Sequence, residues 1–400
     1  MKKKETTKRV LLLGAGLVGS NAAKQLVRER PGLNLRIGDL RLENAERLAC
    51  SLGEQIEAVQ VDLHDQASLD AACADVDIIL HLAGPYYRNA RPVMEAAIRH
   101  KIDYLDVTDD DDLALEILDD KDLRARAEAA GVRLVMGCGH APGLSNVMVR
   151  HMIDQLDTAK RAFVCIIMPI HIVPYFTPAV LDHMFAISSP EVMKYQDGNF
   201  IKTPGYTKLH DLSAMPPFDD ALVFNVGHGE TPMLGHAFPD LEEVNTYIGF
   251  TGENGNEKWA TLADLGFGSG EILPGIDKSP VQVLAAMIAD GRLDEFLETD
   301  TETFESVDIY EVEGVKDGRQ VRLRTYGYLD AYGDDHDDGA ASGARIGIEL
   351  MLDGKITGTG LLTPEVCFEP KDFIARFAED PNLTFVQETK VLGPFPNPLF

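Results

Sequence analysis

Six residues, Gly14-Ala15-Gly16-Leu17-Val18-Gly19, restrict the fold more than any other stretch of this chain. They follow a short apolar run, Val10–Leu13, and precede Asn21–Arg28, whose apolar positions recur at helical spacing. In a strand–turn–helix of this kind the first glycine makes the tight turn and the second lets backbone N–H groups approach a ligand. The third lets the helix pack on the strand. The helix start carries the positive end of the helix dipole, so the ligand that fits is anionic, and a dinucleotide pyrophosphate meets both conditions. Asp39 ends the next apolar strand, 20 residues past Gly19. A carboxylate there bonds the adenosine ribose hydroxyls and repels a 2′-phosphate. Leu40 and Arg41 follow, and Arg41 is the residue that would grip such a phosphate instead. The expected cofactor is NAD, with NADP left open. Asp62 and Leu63 end the third strand and are expected to border the adenine, although Asp62 reads equally well as a turn cap.

Strands and helices alternate from there to about residue 140. After strands at 34–40 and 56–63 come "VDIILHLA", a helix at Pro92–His100, "DYLDV", a helix at Leu123–Ala130 and "VRLVMGC". Such alternation implies an α/β fold with a doubly wound parallel sheet of Rossmann type. Beyond it, runs such as "AFVCIIMPI", "FESVDIYEVEGV" and "RQVRLRTYGYL" imply a second, mixed α+β domain with a largely antiparallel sheet.

In a doubly wound sheet the ligand lies outside the carboxyl ends of the strands. Three later strand ends gather polar and aromatic residues there. The fourth strand runs into Ala83-Gly84-Pro85-Tyr86-Tyr87-Arg88, the fifth carries Tyr104, Asp106 and Asp109, and the sixth opens into "GCGHAPGLSN" with His140. Ala83, Gly84 and Pro85 are expected to keep the backbone close to the dinucleotide. Hydride transfer needs a group that handles a proton, and Asp106, Tyr86 and His140 are the candidates. Tyr87 and Arg88 are expected to face the substrate, with Arg88 able to hold a carboxylate in two hydrogen bonds. Each has a plainer reading as well: helix cap for Asp106, structural histidine for His140, packing for the tyrosines.

Acidic residues outnumber basic ones, 65 to 37, for a formal charge of −28, which argues against nucleic-acid or anionic-membrane partners. No apolar stretch is long enough to span a membrane, and a cytoplasmic protein is expected. The five cysteines are scattered, with no C-x-x-C. No metal is expected: His228, Glu230 and His236 lack a helical ligand spacing, and the acidic run 334–339 lacks the calcium-loop spacing. None of the 11 tyrosines has a lysine four positions on, which sets aside short-chain dehydrogenase chemistry.

The stretches "GAGLVGS", "HLAGPYYRNARPVMEAAI", "DYLDVTDD" and "GCGHAPGLSNVM", with "ASGARIGIELMLDGKITGTGLLTPE" near the end, resemble the saccharopine dehydrogenase family. The match is good over residues 9–150 and 340–370 and thin over 155–330. The resemblance implies that residues 1–140 and about 340–400 form the NAD(P)-binding domain and 141–339 a substrate and dimerisation domain. It also implies an oxidoreductase acting at a C–N bond of an amino-acid or opine-like substrate, as in saccharopine reductases, lysine 6-dehydrogenases and carboxynorspermidine dehydrogenases, working as a homodimer. The rival expectations are a non-catalytic NAD(P) redox sensor and a family oxidoreductase acting on a non-amino-acid carbonyl.

Overall fold

A computed structural model describes residues 8–170, 173, 176, 178–206, 208–209, 223–297, 305–330, 339–381 and 383–392. The acidic run 334–339 therefore lies outside the described residues apart from Gly339. In chain order the elements are β1 (Arg9–Leu13), α1 (Leu17–Glu29), β2 (Asn34–Asp39), α2 (Leu42–Leu52), β3 (Glu57–Gln60), α3 (Gln66–Ala72), β4 (Ile78–His81), α4 (Tyr86–His100), β5 (Asp103–Asp106), α5 (Asp111–Asp119), α6 (Lys121–Ala130), β6 (Arg133–Val135) and α7 (Leu144–Ile153). There follow β7 (Thr158–Pro169), α8 (Pro178–Ile187), β8 (Glu191–Gln196), β9 (Asn199–Pro204), β10 (Lys208–Leu209), β11 (Val223–Val226), α9 (Glu230–Ala237), β12 (Glu243–Thr251), α10 (Gly255–Asp264), α11 (Pro280–Ala289) and α12 (Asp294–Leu297). The last are β13 (Glu305–Lys316), β14 (Arg319–Asp330), α13 (Gly339–Leu352), β15 (Gly360–Leu362), α14 (Pro364–Cys367), α15 (Pro370–Phe377) and β16 (Leu383–Val391). Among the described residues no helix is long and apolar enough to cross a membrane.

The first of two compact units comprises Met1–His151, Pro232–Ala237 and Asp337–Asp380. Its sheet has seven strands in the order β15-β6-β5-β4-β1-β2-β3, every pair parallel. β4 is buried at every residue, as expected of a parallel strand covered on both faces. The winding direction reverses between β1 and β4, and at this switch point Leu13 sits opposite His81. The α/β expectation holds, and the structure explains the late motif. Glu365 is fully buried. It accepts from Asn146 Nδ2 (3.2 Å) and Thr363 Oγ1 (2.7 Å), tying the segment after β15 to α7. α13 lies against the turn after β6, where a Cβ on Gly343 would stand 2.0 Å from the Gly139 carbonyl oxygen.

Three details differ from the sequence reading. α4 starts at Tyr86 rather than Pro92, which lies inside the helix. The extended backbone of Pro85 (φ −77°, ψ 138°) supplies its N-cap, and the N–H groups of Arg88 and Asn89 close the first turn on the Pro85 carbonyl. The first unit also keeps the chain to His151 rather than to 140, because α7 is bonded to the Glu365 segment. The segment after Asp380 leaves that unit, because β16 pairs antiparallel with β14 along its whole length.

The second unit comprises Met152–Thr231, Phe238–His336 and Pro381–Phe400. Its nine-stranded sheet runs β10-β11-β12-β7-β13-β14-β16, with β8 joined to β12 and β9 to β8. Pairing is antiparallel except for β7 with β12. The single tryptophan, Trp259, is buried here, stacked on Phe185 at 4.4 Å between ring centroids.

Candidate active site

The glycine turn is built for a ligand at one glycine and for the fold at the other two. Gly14 has φ +100°, and a Cβ there would lie 2.7 Å from the Leu82 carbonyl oxygen. A Cβ on Gly19 would stand 1.8 Å from the Gly14 oxygen, so helix and turn touch at that point. A Cβ on Gly16 would meet nothing within 4 Å. Gly16 is the N-cap of α1, with no side chain on its first N–H groups and no acid in its first turn. Leu17 behind it is 55% exposed and Val18 half-buried. Open space over a bare helix start is what a pyrophosphate requires.

Asp39 does more than wait for a ribose. Its Oδ2 accepts from the Ala15 N–H (2.9 Å), and its Oδ1 accepts from the Arg41 N–H (2.9 Å) and from Asn44 Nδ2 (3.3 Å). The carboxylate thus braces the glycine turn and keeps capacity on Oδ2 for a hydroxyl. Leu40 is 62% exposed, and Arg41 projects beside it into solvent. Asp62 is exposed and accepts from the His64 N–H (2.9 Å) in a side-chain turn, while Leu63 packs on the core of the unit.

From β4 the chain crosses directly over the glycine turn. The Ala83 carbonyl accepts from Asn89 Nδ2 (2.8 Å) and faces His81 Nε2 (3.2 Å). Gly84 and Pro85 are exposed. Tyr86 is half-buried, its ring edge-on to His81 at 5.5 Å. Burial, and then the nearby carboxyl groups of Asp106, Asp109 and Asp110, push its hydroxyl well above the usual phenol range. Tyr87 is 60% exposed, and the Arg88 guanidinium lies over its ring at 5.4 Å.

Asp106 does not have the surroundings of a general base. It is fully buried at the end of β5. The N–H groups of Thr108 (3.0 Å) and Gly137 (2.8 Å) donate to Oδ1, and the hydroxyls of Tyr104 (2.6 Å) and Thr108 (2.8 Å) lie against Oδ2. These four neighbours take up the carboxyl group's bonding capacity and leave nothing for a substrate amine. Burial raises its pKa from the ordinary carboxylate value in spite of those bonds. His140 is half-buried, with its ring 6.3 Å from that of Phe377 in α15. A Cβ on Gly339 would come within 2.6 Å of the same ring, so His140 packs on the returning helices.

One residue of this site was not singled out in the sequence. His81 looks like one more residue of an apolar strand, yet it is buried beside Tyr104 (Nδ1 to hydroxyl, 2.9 Å) and its register partner on β5 is Asp106. The signal was a histidine ending one strand beside Tyr-x-Asp ending the next. In the second unit, His228 Nδ1 bonds the buried Glu230 carboxylate, and the His183 ring lies 5.4 Å from that of His228.

Fold and glycine turn together define a dinucleotide-binding protein of the Rossmann class. Residues 10–135 match the family described as saccharopine dehydrogenase NADP binding domain. It is 24% identical to carboxynorspermidine synthase of Vibrio alginolyticus over 314 residues, 70% of this chain and 72% of that enzyme. It is 28% identical to saccharopine dehydrogenase [NADP(+), L-glutamate-forming] of Saccharomyces cerevisiae over 152 residues, 38% of this chain and 32% of that enzyme. In fold it is similar to the apo form of the Saccharomyces cerevisiae saccharopine dehydrogenase (TM-score 0.65, 16% identity, 96% of this chain and 100% of that one). It is also similar to the homospermidine synthase of Legionella pneumophila in complex with NAD (TM-score 0.56, 12% identity, 96% and 91%). The resemblance to this family and the NAD(P) cofactor expected from the sequence are borne out over residues 10–135.

Proposed function

We propose that this chain is an NAD(P)-dependent oxidoreductase that interconverts an amine and an imine on an amino-acid or opine-like substrate. The observation that carries the reading is the similarity to carboxynorspermidine synthase over 70% of the chain, with Tyr86 set edge-on to His81 after the open glycine turn. Bound over Gly16, the nicotinamide cofactor supplies or takes up the hydride. The chain's residues do the rest. The α1 start and the turn N–H groups hold the pyrophosphate, and Asp39 takes a ribose hydroxyl, which favours NAD over NADP. Tyr86, kept protonated by burial, offers its hydroxyl oxygen to an N–H of the substrate nitrogen. Arg88, with no carboxylate partner among the described residues, holds a substrate carboxylate.

The test supplies NAD or NADP with lysine, with saccharopine, or with 2-oxo acids plus amines, and with ketones alone, while the absorbance of reduced nicotinamide is followed. Turnover confined to the nitrogen-containing sets supports the reading. Cofactor binding with no turnover on any of them overturns it. Arg88→Ala is expected to raise KM for a carboxylate substrate about tenfold or more with little change in kcat; an unchanged KM removes Arg88 from the site.

A further inference from the structure

Ala83 O, His81, Tyr104 and Asp106 form an unbroken line of three contacts: Nε2 to carbonyl 3.2 Å, Nδ1 to hydroxyl 2.9 Å, hydroxyl to Oδ2 2.6 Å. Three links need three hydrogens. A neutral histidine, a tyrosine and an ionised aspartate bring only two. The ends decide how the shortage is met. The carbonyl can only accept, so Nε2 carries a hydrogen. A neutral His81 must then accept at Nδ1 from the Tyr104 hydroxyl, which leaves the Tyr104 oxygen to accept from Asp106. The far end agrees. Oδ1 faces two N–H donors, whereas Oδ2 faces only hydroxyls, which can receive a proton as well as give one.

We propose that Asp106 is a neutral carboxylic acid, and that the chain from its Oδ2 proton through Tyr104 and His81 fixes the Ala83 carbonyl beside the cofactor turn. His81 and Tyr104 are then positioning residues. Asn89 holds the same carbonyl from α4 (2.8 Å). The alternative that also fills every link, a protonated His81 with an ionised Asp106, separates two charges among buried groups. No arginine or lysine bonds any of the three, among the described residues. The other titratable groups around the chain are Tyr86 from α4, Cys138 after β6, and Asp109 and Asp110 before α5. Burial pushes the imidazole down to about 4 and the carboxyl up, as the neutral form requires.

The proposal is tested on the full chain without cofactor and then with NAD. Nitrogen NMR of labelled His81 is expected to show one hydrogen, on Nε2, at neutral pH. A doubly protonated ring, or a hydrogen on Nδ1 alone, overturns the proposal. Tyr104→Phe cuts the line and is expected to weaken NAD binding roughly five- to tenfold, about the worth of one buried hydrogen bond. Asp106→Asn keeps a donor facing Tyr104 and is expected to bind NAD within about twofold of the parent. If Asp106→Asn loses as much affinity as Tyr104→Phe, the neutral-acid form is wrong. These measurements read tautomer and affinity, so their failure is separate from failure to find a substrate.

Discussion

Gly16 and Gly19 stand three residues apart and answer to different demands. A methyl group on Gly16 points into open space, and one on Gly19 runs into the Gly14 carbonyl. Gly16→Ala is therefore expected to fold with an unchanged Tm but to bind NAD at least tenfold more weakly, since the methyl occupies the pyrophosphate's place. Gly19→Ala is expected to lose about 3 kcal/mol of stability from overpacking. Thermal melts and NAD titration of the two variants check both. At this scale the sequence was readable where backbone conformation alone dictates residue type, as in the glycine turn and Asp39. It was less readable where a side chain's role depends on a neighbouring strand. Asp106 drew notice as a bare carboxylate, and only register, which puts it opposite His81 and beside Tyr104, reveals how it is bonded.

At the level of elements, β16 is the clearest divergence from the sequence reading. Its residues are mostly exposed and polar, so neither an apolar run nor a clean alternation marks Leu383–Val391. It is defined by its partner, pairing with β14 from Leu329 to Val321. Truncation after Asp380 is expected to leave NAD binding intact while uncovering the β14 edge, and an unpaired edge invites self-association. Light scattering and NAD titration of the truncated chain decide it; a monodisperse product would show that β14 needs no cover. α4 escaped in another way. Pro92 was a persuasive helix start, but the extended Pro85 had already opened the helix. The strands of the first sheet were legible because burial on both faces makes them continuous apolar runs.

For the whole molecule, pH acts through paired carboxylates. Bonds from Arg30, assisted by Arg376, hold Asp353 down at about 2, and bonds from Arg99 and His100 do the same for Asp70. Depressed carboxylates add stability above the ordinary carboxylate pKa of about 4. That contribution is lost as pH falls through the folded value near 2. Asp106 has the opposite sign, since its raised pKa costs stability as pH rises through it. The first unit is expected to weaken between about pH 4 and 2, and Arg376→Gln to start that loss at higher pH, as acid titration of Tm with and without the substitution would show; an unshifted onset would remove Arg376 from the acid response. The chain order of the seven-stranded sheet sets a further condition, on synthesis. β6 ends at Val135, and the strand that pairs with its outer edge, β15, begins at Gly360. At ~5–20 residues per second a ribosome needs roughly 10–45 s to travel between them. Throughout that interval the nascent domain carries an uncapped parallel edge, so yield in a cell should depend on translation speed and on chaperones that shield the edge until the last strand emerges.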